Sequence, residues 1–134
     1  MHILVVEDDA ELGDALTEFF QEQGHRVSLA SNAPNALRLL GTIQPDVALI
    51  DIVLPVFDGN FLAAEIRKRD EPAPRLIAIT GRKGSVQPAF FDDLVLKPVS
   101  PAELLKALVT PVGEGILVAS RAPPFDDDSE DTLA

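Results

Sequence analysis

Five short apolar runs punctuate the chain, and most of them stop at a polar residue with chemistry of its own. Residues 3–6, 47–50, 76–79 and 94–96 are uninterrupted and rich in branched side chains, the pattern of strands buried on both faces. Within 25–30, Val27 and Leu29 alternate with polar neighbours and predict a half-covered strand. Between the runs the spacing becomes helical. Leu12, Ala15, Leu16, Phe19 and Phe20 form one stripe, with Gly24 as its stop. Ser31 or Asn32 can cap a second helix with Pro34 in its first turn, and Ala36, Leu37, Leu40 and Ile43 make its stripe. A third helix is expected over about 60–69, after the turn residues Pro55 and Asp58-Gly59. A last helix opens at Ser100 or Pro101, carries Leu104, Leu105 and Leu108, and stops before Pro111.

Strand and helix alternate, and the strands are nearly all apolar. That order implies an α/β fold, a five-stranded parallel sheet doubly wound with helices on both faces. At 134 residues the length fits one domain with a sizeable core. The formal net charge of −11 argues against direct nucleic-acid binding and against docking on anionic membranes. There are no cysteines, which removes disulfides, thiolate metal sites and cysteine nucleophiles. No apolar run is long enough to span a membrane and none reads as a signal peptide, so the expected location is cytoplasmic. The charge is uneven: residues 126–134 hold five acids and no base, leaving −6 for the rest. We divide the chain into a domain over 1–112 and an extension over 113–134 ending in a solvated acidic tail.

In an open parallel sheet, ligands bind beyond the carboxyl ends of the strands. Here those ends carry Glu7, Asp8 and Asp9, then Asp51, Thr80 and Lys97. Two carboxylates about 4 Å apart repel by roughly 4 kcal/mol at an effective dielectric of 20, so converging acids call for a cation. A hard oxygen site of this kind suits Mg²⁺, which takes one or two carboxylates and bridges to phosphate. A lysine and a threonine beside it can hold an anion. Together they suit phosphoryl transfer, with a carboxylate as nucleophile, and Asp51 is the best-placed acceptor. Plainer readings exist for each residue. Asp9 serves best as a helix N-cap, Glu7 could be a solvated strand end, Thr80 a turn residue before Gly81, and Lys97 a surface lysine. Asp58-Gly59 is assigned to turn geometry, and His2 and His25 to the surface.

The segments LVVEDD, DVALIDIVLPVFDG, AITG and LVLKPV, in that order over roughly residues 2–109, resemble those of bacterial response-regulator receiver domains. The resemblance implies the flavodoxin-like strand order 2-1-3-4-5. It implies that Asp8 binds Mg²⁺ directly and Glu7 through water, that Asp51 ligates the metal, and that the Val53 carbonyl completes the protein ligands. It further implies that Asp51 accepts a phosphoryl group from a histidine kinase or phosphotransfer protein, with Thr80 and Lys97 holding the phosphoryl oxygens. Lys97-Pro98 would be cis, although sequence alone favours trans. Such a domain catalyses only its own phosphorylation and dephosphorylation and is otherwise no enzyme. Two rivals stay open: a degenerate receiver acting as a protein-binding module, and a Mg²⁺-dependent phosphatase with an aspartyl intermediate. The second is weakened because Val53, two residues past Asp51, is not an acid.

Two departures from the family fall on its output side. From Thr80 to Lys97 the count is 17, shorter than the family's usual interval, and Gly84 and Pro88 interrupt what remains. A single turn of helix or an irregular loop is expected where the family has its fourth helix. Leu94 stands where the family has a switching aromatic, so no aromatic rotamer switch is expected on phosphorylation. The usual receiver dimer is therefore doubtful and the output partner unknown. The apolar stretch 116–119 could fold back as cover or begin a linker.

Overall fold

A computed structural model describes residues 1–109. The end of the expected domain at 110–112, the stretch 116–119 and the acidic tail lie outside the described residues. Five strands, β1 His2–Val6, β2 Arg26–Ala30, β3 Val47–Asp51, β4 Arg75–Thr80 and β5 Asp93–Leu96, pair in parallel in the order β2-β1-β3-β4-β5. Four helices connect or follow them: α1 Ala10–Glu22, α2 Ala33–Leu39, α3 Gly59–Arg67 and α4 Pro101–Val109.

The alternation of side chains along each strand divides the core in two. Leu4, Val6, Ala48, Ile50, Leu76 and Ala78 point to the face covered by α2 and α3. Ile3, Val5, Val47, Leu49, Ile77, Ile79 and Val95 point to the face covered by α1 and α4. Each fully buried Val, Leu or Ile among them stabilises the fold by about 1.5–3 kcal/mol. A core of that size can carry acids at its rim.

The helix starts follow local hydrogen-bond chemistry. Asp9 caps α1 by accepting the Glu11 and Leu12 N–H groups, Asn32 caps α2 through the Asn35 N–H, and Asp58 caps α3 through the Phe61 N–H. Asp9 thus does what the sequence suggested, and Asp58 does more than form a turn. After α1 the backbone turns at Gly24 with φ +91°, a left-handed conformation that glycine adopts without strain.

Some expectations about helix faces are corrected. In α1 it is Gly13, not Ala15, that faces the sheet, because the helix crosses close over Leu29 of β2. In α4 the buried set is Leu104, Ala107 and Leu108, while Leu105 is exposed. Ile43 lies beyond the end of α2. His2 and His25 are half-buried rather than free on the surface: His2 Nε2 is 2.8 Å from Ser28 Oγ, and His25 Nδ1 is 3.1 Å from the terminal amine.

Between β4 and β5 there is no helix, as the short interval predicted. Two single 3-10 turns, Lys83–Ser85 and Pro88–Phe90, take its place. Val86 and Phe91 from this segment reach the core, and Leu94 packs partly buried against the same cluster. Leu96 on β5 is left 42 % exposed.

Candidate functional site

The register of the sheet assembles the site. Val6 pairs with Ile50, so the next residue on each strand, Glu7 and Asp51, meet at the carboxyl edge. Asp51 pairs with Ile79, and Thr80 pairs with Leu96, so Thr80 and Lys97 arrive at the same edge one step further on. The Lys97 N–H donates to the Thr80 carbonyl at 2.8 Å, which extends the ladder to the lysine itself. The peptide Lys97-Pro98 is cis.

Lys97 Nζ donates to Asp51 Oδ2 at 2.8 Å and lies 3.6 Å from Glu7 Oε1. The other Asp51 oxygen, Oδ1, accepts the Val53 N–H at 3.0 Å. Glu7 Oε2 accepts the Asp9 N–H at 3.1 Å. Glu7, Asp51 and Thr80 are buried, each only 2 % exposed, while Asp8 stands exposed beside them. Glu7 is therefore no solvated strand end, and Lys97 is no ordinary surface lysine. Thr80 does fill the turn role as well, since its Oγ1 accepts the Arg82 N–H at 3.0 Å.

Burial pushes the Glu7 carboxyl up to about 7, and the hydrogen bond and negative charge of Asp51 add to the rise. The Asp9 N–H and the Lys97 charge oppose it but do not win. Burial pulls the Lys97 ammonium down. Its hydrogen bond and charge interaction with Asp51, helped by Glu7, overcome that and leave it raised. Lysine is thus held charged against the acids.

The acids have room for a further cation. Glu7 Oε1 is buried without a hydrogen-bond partner, and leaving such an atom unsatisfied is costly. One oxygen each from Glu7, Asp8 and Asp51 lies within 4.8 Å of the others. An all-oxygen donor set with one exposed member fits a hard divalent ion that keeps water on its open side. Among the described residues, Glu7, Asp8 and Asp51 come together, Lys97 lies against Glu7 and Asp51, and Asp9 is engaged in capping α1.

The loop that follows Asp51 is held tightly from below. The Gly59 N–H donates to the Ile52 carbonyl at 2.8 Å, and a Cβ on Gly59 would stand 2.4 Å from the Asp51 carbonyl oxygen. Only glycine allows α3 to begin so close to β3. The loop also holds Val56 at φ +71°, a strained conformation for a β-branched residue. Val53 and Val56 are exposed, and the rings of Phe57 and Phe61 stack with centroids 4.3 Å apart.

Sequence reasoning missed Asn60 and Ser85. The Asn60 side chain donates to the Ser85 carbonyl at 2.8 Å and accepts the Gln87 N–H at 2.9 Å. Ser85 Oγ lies 3.0 Å from Thr80 Oγ1. A signal was available: a loop too short for a helix must satisfy its backbone through side chains, and a nearby asparagine offers both donor and acceptor.

This sheet order, with acids and a lysine at its carboxyl edge, is that of a doubly wound α/β fold of the flavodoxin-like kind. Residues 3–109 match the response regulator receiver domain model. The chain belongs to that family, the phosphoacceptor domains of two-component systems. It is 34 % identical over 136 residues to the virulence transcriptional regulatory protein PhoP of Salmonella typhimurium, covering 96 % of this chain and 60 % of PhoP. The chain therefore spans less than two thirds of the length of that relative. It is also 36 % identical to an uncharacterized 14.6 kDa protein of Leptolyngbya boryana, covering 79 % of this chain and 86 % of that one. Among solved structures it resembles a CheY-like receiver domain from Methylobacillus flagellatus with TM-score 0.76 and 25 % identity, over 81 % of this chain and 95 % of that one. The receiver domain of sensor histidine kinase PA1611 from Pseudomonas aeruginosa, described with a magnesium ion coordinated in its active-site cleft, gives TM-score 0.73 and 28 % identity over 80 % of this chain and 92 % of that one. No helix among the described residues is long and apolar enough to cross a membrane.

Proposed function

We propose that Asp51 is the phosphoacceptor of this receiver domain and that a histidine kinase or histidine phosphotransfer protein is its donor. The observation that carries this is the 2.8 Å contact between Lys97 Nζ and Asp51 Oδ2 inside a cluster of acids. A carboxylate oxygen of Asp51 attacks phosphorus, an acyl phosphate forms, the P–N bond of the donor breaks, and the imidazole leaves. Lys97 neutralises charge on the transferred group, and the Thr80 hydroxyl donates to one of its oxygens. Glu7, Asp8, Asp51 and the Val53 carbonyl would hold Mg²⁺, which when bound supplies charge neutralisation for the phosphoryl oxygens. The orphaned Glu7 Oε1 supports that fit. The domain acts on no substrate beyond its own phosphoryl group. Val53, two residues past Asp51, offers no acid–base group, which counts against a small-molecule phosphatase.

The test is incubation with acetyl phosphate and Mg²⁺ followed by intact mass measurement. One added phosphoryl group in the wild type, lost in Asp51→Asn, is the expected result. Phosphorylation that persists in Asp51→Asn overturns the assignment.

A further inference from the structure

Thr80 has one proton to give, and the loop after β4 has already claimed it. Thr80 Oγ1 accepts the Arg82 N–H at 3.0 Å. Ser85 Oγ donates to the Arg82 carbonyl at 2.6 Å, which uses the proton of that hydroxyl and leaves its lone pairs. The two hydroxyl oxygens are 3.0 Å apart, so it is the Thr80 proton that closes their contact. The alternative acceptor, the Arg82 carbonyl, is further away at 3.3 Å and already takes the Ser85 proton.

Ser85 is itself fixed in place. The Asn60 amide donates to the Ser85 carbonyl and accepts the Gln87 N–H, so its two bonds straddle Val86, which is buried in the core. Asn60 is the second residue of α3, the helix that begins where the acceptor loop ends. The short segment between β4 and β5 is thus fastened to α3 through Asn60 beside Ser85 and through Arg67, which donates to the Phe90 carbonyl and the Asp92 carboxylate, and to Thr80 through Ser85 and Arg82.

We propose that Ser85 is a positioning residue for phosphoryl transfer, one that holds the Thr80 proton until a phosphoryl group on Asp51 displaces it. The proposal rests on the reading of Asp51 as acceptor and Thr80 as donor to the phosphoryl oxygen. Forming the Thr80–phosphoryl hydrogen bond requires breaking the Thr80–Ser85 one. The exchange loosens the hydroxyl–hydroxyl contact between Thr80 and Ser85, in the segment that replaces the family's fourth helix. Occupancy of Asp51 is then felt at Ser85, with no aromatic side chain taking part.

Beryllofluoride, a mimic of a carboxylate-bound phosphoryl group, provides the test, with binding to the full chain followed by calorimetry in Mg²⁺. Removing the competing acceptor in Ser85→Ala tightens beryllofluoride binding by about 2- to 10-fold, the equivalent of one neutral hydrogen bond. Ser85→Thr, which keeps a hydroxyl, restores the wild-type value. In a Thr80→Ala background, Ser85→Ala has no further effect. Asn60→Ala, which unfastens Ser85 and spares its hydroxyl, shifts affinity in the same direction as Ser85→Ala. Failure of the wild type to bind beryllofluoride overturns the acceptor reading and this proposal with it. Wild-type binding that is unchanged or weakened by Ser85→Ala, or an equal effect of Ser85→Ala with and without Thr80, overturns the proposal and leaves the acceptor reading standing.

Discussion

Lys97 Nζ lies between two buried acids, 2.8 Å from Asp51 Oδ2 and 3.6 Å from Glu7 Oε1. Its removal leaves both carboxylates without their internal cation. Lys97→Met is expected to abolish phosphorylation by acetyl phosphate and to destabilise the metal-free protein by about 1–3 kcal/mol. That lies below the usual cost of breaking a buried pair because the ammonium is partly solvated. The same variant binds Mg²⁺ more tightly, since one positive charge no longer competes with the ion. Urea unfolding in EDTA and calorimetric Mg²⁺ titration check the two halves separately.

Glu7 gives the metal-free protein a distinctive pH response. Its folded-state value near 7 lies above the ordinary 4.5, so between these the folded protein holds a proton that the unfolded chain has released. The stabilisation from this group is complete below about 4.5 and disappears as pH rises through about 7. Unfolding measured in EDTA at a series of pH values should show the wild type losing stability over that window relative to Glu7→Gln. Saturating Mg²⁺, which favours the carboxylate, should flatten the difference.

Gly59 lets α3 start against the backbone of β3. A methyl group there would meet the Asp51 carbonyl oxygen at 2.4 Å and the Ile52 Cα at 2.9 Å, and neither is a flexible side-chain end. Gly59→Ala should therefore cost about 1–3 kcal/mol of stability and displace Asp51, lowering the rate of phosphorylation as well. Denaturant midpoints and acetyl phosphate kinetics read the two effects.

Val56 presents the opposite case. It is exposed and held at φ +71°, where an L-residue is strained by roughly 1–2 kcal/mol. Val56→Gly relieves that strain, and the greater freedom of glycine in the unfolded chain offsets about 0.5–1 kcal/mol of the gain. A small rise in thermal midpoint is expected. A fall would mean that the valine side chain makes a stabilising contact of its own.

Much of the architecture was written in the apolar runs. Strands buried on both faces need no partner information to be recognised, and the polar residue that ends most of the runs marks the edge where chemistry collects. What the pattern could not supply was register. Glu7 and Asp51 meet because Val6 pairs with Ile50, and no local spacing states that. Helix faces were less legible where small residues decide. Gly13 has no hydrophobic signal, yet it faces the sheet because α1 passes close over Leu29, while Ala15 and Leu105 fit the stripes and remain outside. Asn60 and Ser85 were invisible for a different reason: Asn60 bonds backbone 25 and 27 residues away, and Ser85 reaches Thr80 only because the irregular β4–β5 segment folds back on it.

The two 3-10 turns that stand in for a helix also determine what another molecule could grip. A full helix presents a ridge of side chains at three- and four-residue spacing, which a twofold-related copy can interlock with. Two isolated turns offer no such ridge; beside them stand the half-exposed Leu96 and a short run of bent backbone. A molecule that meets this flank meets the contour of a loop, on which Arg82, Gln87, Pro88 and Ala89 stand exposed.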